Sequence, residues 1–249
     1  KPLHRLLMTS AVYLQETAFD PAKAKIDPGN QLLWRRTPQR IESEILRDSM
    51  LAVSGKLNPQ MLGPSFKPPI PAEAIQARNV KDPYPNNVTE SAATRRRSIY
   101  MFHKRVVQYP LTQVFDGPDA QASCGRRDRT TVAPQALALL NDKFVRTRAE
   151  DFARRVAGEA GGAPQDSVSA LHTPGGDFEQ EVRYVWQQAF GRQPTATELA
   201  SSIQFLDEQT SSQKGKGTPG NPGKADSHHL ALTNFCQAVF ALNEFVYVD

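Results

Sequence analysis

From Phe115 to Asn141 the chain reads FDGPDAQASCGRRDRTTVAPQALALLN, and this run holds the side chains best suited to chemistry. Asp116 and Asp119 stand three positions apart in a turn, and Arg126, Arg127, Asp128 and Arg129 follow as four consecutive charges. Two carboxylates at that spacing can hold a cation or divide the roles of acid and base. Arginine forks can grip a sulfate, a carboxylate or a haem propionate through two parallel hydrogen bonds. The same residue types also serve architecture, because Asx turns and Asp–Arg pairs close long loops where no backbone ladder does. The architectural reading is preferred, since ion pairs only sometimes mark a site.

Cys124 lies beside Arg126 and Arg127, which could favour its thiolate. A cysteine nucleophile also needs a base, and His103 is the nearest histidine in the sequence, with no third group to orient it. Cys236 sits among Phe235, Ala238 and Val239 and reads as a core residue. Two cysteines 112 positions apart leave one long-range disulfide open, and spacing alone does not decide it. His229 and Cys236, seven apart on one helix, would need further ligands to hold a metal, and there is no Cys/His spacing of the zinc type. We assign no metal site. CxxCH is absent, so this chain carries no haem attachment site of its own, and no glycine tract is followed by GK[ST].

Around these residues the composition is that of a globular chain with much loop. It has 249 residues, 39% hydrophobic, with 19 prolines and 15 glycines. No apolar run approaches the roughly 20 residues of a membrane span. A net charge of +4 is spread along the chain without the dense basic stripe and interleaved aromatics of a nucleic-acid binder. The sequence opens on a helical pattern with no initiator methionine, as a cut product would.

The elements that must position the charged run are mainly helical. Residues 2–15 carry Leu3, Leu6, Leu7 and Leu14 on one face. A second helix is expected from Pro38 to Gly55, with Ile41, Ile45 and Ala52 on its face. Residues 58–87, with seven prolines, read as ordered coil laid onto the body. SIYMFHKRVV (98–107) alternates as a short strand or an extended buried segment, with His103 partly buried. Pro110 starts a short helix, Thr130 or Thr131 caps the next, and a further helix runs to Gly161. Residues 161–176 are linker; helices then follow from Phe178, from the capping box Thr195–Glu198, and from His228. The expected fold is mainly α: an irregular multi-helix domain with long ordered Pro-rich coils and room for one short β-hairpin. Residues 1–160 form the main helical domain, and 177–249 a three-helix segment packed on it.

Several stretches in order resemble one family, the PSD1-like (DUF1553) C-terminal domain of unknown function found in planctomycete-type cell-envelope proteins. The stretches are KPLHRLLMTSAVYLQ, RRTPQRIESEILRDSMLAVSGKLN, FDGPDAQASCGRRDRTTVAPQALALLND, GRQPTATE and LNEFVYVD. The resemblance implies an exported protein, periplasmic or extracellular. It implies an upstream partner domain, in the same polypeptide or on a separate chain, and in many members a c-type cytochrome domain carrying the haem. It implies no reaction.

The function expected is a non-catalytic structural or interaction domain of a multi-domain, cytochrome-c-linked protein, docked through the first helix and the Arg95–Asn141 stretch. One alternative is an enzyme or binding domain acting on anionic polysaccharide, sulfated or not, with Asp116, Asp119 and the arginines as its site. Another is an accessory that positions a haem c domain for electron transfer.

Overall fold

The computed structural model describes residues 1–71, 88–105, 107–119, 122–160, 178–214 and 224–248. The expected linker at 161–176 and the later part of the proline-rich coil lie outside these. The described residues form ten α-helices, one 3-10 turn and one two-stranded antiparallel pair. They divide into two compact units, Lys1–Ile41 with Val246–Asp249, and Glu42–Phe245.

The larger unit is built on α6 (Lys143–Ala160) and α9 (Lys224–Phe240), which pack on each other, with α7 (Phe178–Phe190) and α8 (Ala196–Lys214) completing the layer. The sequence dictates this through three- and four-residue spacings. Val145, Ala149, Phe152 and Val156 line one stripe of α6, and Leu232, Cys236, Val239 and Phe240 one stripe of α9, all buried. The rings of Phe152 and Phe240 stack at 5.9 Å. Gly191, at φ +71, turns the chain after α7. The expected capping box forms: the Thr195 N–H donates to Glu198 Oε2 at 2.7 Å, and the Glu198 N–H donates to Thr195 Oγ1 at 3.3 Å.

Also packed on α6 are α3 (Ser43–Val53) and α5 (Ala133–Asn141), with α4 (Pro110–Val114) against both of these. Three expectations need correction here. The second helix begins at Ser43, not Pro38, and buries Leu46, Arg47, Met50 and Leu51 while Ile45 is exposed. Residues 98–107 contain a 3-10 turn (Ser98–Tyr100) and a single bridge from Met101 to Phe66, with His103 exposed. The residue preceding α5 is Val132, whose N–H is reached by Gln135 Oε1 at 3.4 Å, because Thr130 is engaged elsewhere.

In the smaller unit, α1 (Pro2–Met8) is shorter than the expected 2–15 and continues as turns. Asp20 caps α2 (Pro21–Ile26), accepting from the Ala22 N–H at 2.8 Å. Asp27 then folds the next turn by accepting from Gln31 and Leu32 N–H at 3.0 and 2.7 Å. The two strands are β1 (Gln39–Arg40) and β2 (Tyr247–Val248), the latter following α10 (Asn243–Val246). Their pairing is antiparallel, as a hairpin's would be, but the strands are far apart in the chain.

Candidate functional site

Helix α4 ends in a left-handed residue that is not glycine: Asp116 has φ +54. Aspartate tolerates this conformation, and the Gly117 N–H closes the end by donating to the Thr112 carbonyl at 2.7 Å. A side chain at Gly117 would put its Cβ 2.6 Å from that same oxygen. The FDG sequence is therefore a helix stop that also aims a carboxylate. Asp116 Oδ2 accepts the Thr130 N–H at 2.7 Å, and Oδ1 accepts the Thr130 hydroxyl at 2.9 Å. Gln135 Nε2 donates to the Val114 carbonyl and to Thr130 Oγ1, at 3.2 and 3.3 Å. The two ends of the charged run are thus pinned together.

From within the run, Arg127 reaches α3. Its two terminal nitrogens donate to Glu44 Oε2 and Oε1 at 2.7 and 3.0 Å, and Glu42 lies at 3.6 Å. Partial burial pushes the Glu44 carboxyl up, but the hydrogen bonds from Arg127, its own backbone and Ser43 outweigh that and hold it below its ordinary value. The guanidinium of Arg127 is raised in turn by its bond to Glu44. Asp119, Cys124, Arg126, Asp128 and Arg129 are exposed, and Cys124 Sγ donates to the Arg126 carbonyl at 3.1 Å. Both cysteines are free thiols; Cys236 is buried, and burial with nearby Glu181 pushes its thiol well up. Of the six charged candidates, Asp116 and Arg127 hold the loop, and Asp119, Arg126, Asp128 and Arg129 have exposed side chains.

The more concentrated set of buried charges lies where sequence reasoning did not place it. Arg47 of α3 is 3% exposed and donates to the carbonyls of Thr94 and Arg96 at 2.7 and 3.1 Å and to Ser98 Oγ at 3.1 Å. Its neighbour Asp48 accepts the Ser98 N–H at 2.8 Å. Arg96 turns the other way, donating to the carbonyls of Gln60, Leu62 and Pro64, with its guanidinium 4.0 Å from the Tyr100 ring centroid. Arg148 of α6, also buried, pairs with Glu90 at 2.6 Å and Asp151 at 3.0 Å. The available signal was RD in an amphipathic helix together with RRRS, in which an arginine falls on the apolar side.

A cavity of about 430 Å³ opens beside this network, lined by Pro69, Ile70, Tyr109, Asp142 and Phe144 as well as Arg47. Burial pushes the Tyr109 hydroxyl up to about 12. Asp142 accepts the Phe144 N–H at 2.7 Å and so serves the start of α6. Elsewhere in the unit, Arg192 clamps Glu198 and Glu244, at 2.8 and 2.7 Å, with its guanidinium 4.7 Å from the Trp186 ring centroid. The hydrogen bonds from Arg192 hold the Glu198 carboxyl at about 2. Among the described residues no group of three His, Cys, Asp or Glu side chains is arranged to hold a metal ion.

Chemically, these arrangements bind coil to helix, and none pairs a nucleophile with a base. No helix among the described residues is long and apolar enough to cross a membrane. No curated protein and no solved structure matches the chain. Residues 1–206 match the family described as PSD1, protein of unknown function (DUF1553). The ordered stretches noted in the sequence lead to the same place, and the chain belongs to that family.

Proposed function

We propose that this chain is a non-catalytic interaction domain of a larger, exported, haem-linked protein of the cell envelope. Its neighbour is an upstream domain, on the same polypeptide or a separate chain, and any haem c is carried there or on a further partner. One contrast carries the reading. Asp116 and Arg127 of the charged run are engaged internally, whereas the smaller unit leaves most of its large apolar side chains exposed. Catalytic sites present converging polar groups in a cleft, while docking elements present uncovered apolar surface.

The test is native purification of the protein from its source, followed by cross-linking, mass spectrometry and a haem absorbance spectrum. The expected result is a second folded domain cross-linked to residues 1–41 or 95–141, with a haem band in the same assembly. A native protein with no other domain in cross-linking reach, which binds a sulfated glycan through Arg126 and Arg129, would overturn the reading.

A further inference from the structure

The cavity beside Arg47, about 430 Å³, is of the size that encloses a small organic molecule, and its lining residues all belong to the larger unit. Pro69, Ile70, Pro110 and the ring of Phe144 give it an apolar wall. Its polar groups divide into those already engaged and those that are not. Arg47 commits its terminal nitrogens to the 94–98 segment, Glu90 pairs with Arg148 at 2.6 Å, and Asp142 accepts the Phe144 N–H at 2.7 Å. Arg95 is only loosely paired with Glu90, at 3.9 Å.

Tyr109 and Lys143 remain. Tyr109 is 8% exposed, its ring lies edge-on to Phe144 at 6.5 Å, and Arg47 is the donor beside its oxygen. Its O–H finds no acceptor among the described residues, and the Lys143 ammonium finds no carboxylate there. Burial pushes the Tyr109 hydroxyl up to about 12, so at neutral pH it is a donor. A buried donor without an acceptor is uncommon and calls for an explanation. The uncommitted groups are thus all donors, and Lys143 and Arg95 add positive charge.

We propose that this cavity binds a small organic molecule with one carboxylate on an apolar body. Tyr109 and Lys143 take the carboxylate, and the body lies against Pro69, Ile70 and Phe144. A cation fits less well, because it would meet Lys143 and Arg95 and find both carboxylates in use. A phosphate would bring a second negative charge beside Glu90 and Asp142 and leave the apolar wall bare. The proposal goes beyond the interaction-domain reading and does not depend on it: cross-linking reports the partner, and titration reports the cavity.

The experiment is calorimetric titration of the full 249-residue chain, with saturation-transfer NMR, using naphthylacetate, octanoate and the amide of each. At least one acid should saturate a single site with a Kd of about 1 mM or tighter, and its amide should bind at least about 10-fold more weakly. Which acid binds tells an aromatic body from an aliphatic one. Lys143→Gln, at an exposed helix position, should bring the acid level with its amide. Tyr109→Phe keeps the ring, removes only the O–H, and should weaken the acid by about 10-fold. Circular dichroism verifies that both variants fold; if Tyr109→Phe does not, Lys143→Gln decides alone. No saturation by either acid at about 10 mM would overturn the proposal, the cavity then holding water only. Equal binding of acid and amide would also overturn it, as would a preference for the acid that survives either substitution, since the anion would then bind elsewhere.

Discussion

Arg127 and Glu44 are 83 positions apart and meet as a two-pronged pair, with nitrogen–oxygen distances of 2.7 and 3.0 Å. The pair ties an exposed, charged excursion to the third helix. It is partly solvated, so its worth is modest. A double-mutant cycle with Arg127→Ala and Glu44→Gln should give a coupling energy of about 1 kcal/mol, falling in high salt. Urea denaturation at two ionic strengths measures it; zero coupling would mean the fork does not hold the loop.

Arg47 should matter far more. It is buried, and its donors satisfy two carbonyls and a hydroxyl on the 94–98 segment. Arg47→Ala strips those acceptors and leaves a void, and we expect a loss of about 3 kcal/mol or more in urea denaturation. Arg47→Lys should recover only a small part, because a point charge cannot reproduce a fork.

Asp116 and Gly117 should govern the loop locally. Asp116→Ala removes both bonds to Thr130, and Gly117→Ala drives a methyl into the Thr112 carbonyl. Either change should speed tryptic cleavage at Arg126, Arg127 and Arg129 by roughly 10-fold or more, as about 1.4 kcal/mol of loop closure is lost. Time-resolved digestion with mass spectrometry reads this out.

The Arg192 clamp sets an acid limit. Glu198 is held at about 2, below the ordinary glutamate value, so its contribution to stability is fully present above about pH 4.5. It is lost as pH falls from there through about 2. The difference in urea midpoint between the natural protein and Glu198→Gln should therefore be largest near neutrality and shrink across that window. A difference independent of pH would sink the assignment.

The two thiols should behave oppositely. Cys124 is exposed and Cys236 fully buried with its thiol pushed up. Ellman's reagent should titrate one thiol per native chain within minutes and the second only in denaturant.

The helices were legible because their apolar residues recur at three and four positions: α6, α7 and α9 follow from Val145–Phe152, Val182–Trp186 and Leu232–Val239. The Thr195–Glu198 box was legible for the same local reason. What the sequence hid is long-range and polar. The start of α3 was misplaced because Gln39–Arg40 pairs with Tyr247–Val248, a contact no local pattern announces. SIYMFHKRVV looked like a strand, yet Ser98 and the Arg96 carbonyl are held by Asp48 and Arg47, which bend the segment into a 3-10 turn and leave His103 outside. In the candidate run, residue types and spacing could not tell which charges reach across the fold, because the partners of Asp116 and Arg127, Thr130 and Glu44, are set by how the loop ends meet and by what α3 brings near. Arg47 and Arg96 were overlooked, since a buried arginine reads in one dimension like a solvated one.

Arg96 accounts for why a segment so poor in pattern holds a definite course. Its guanidinium collects the carbonyls of Gln60, Leu62 and Pro64, atoms that every amino acid possesses. Outside Leu62 and Gly63, whose backbones are left-handed at φ +65 and +84, the letters of residues 60–64 are then freer to drift than the one distant arginine. Relatives with unrecognisable coils should still share this path wherever that cation persists, and a coil copied faithfully without it should lose its way.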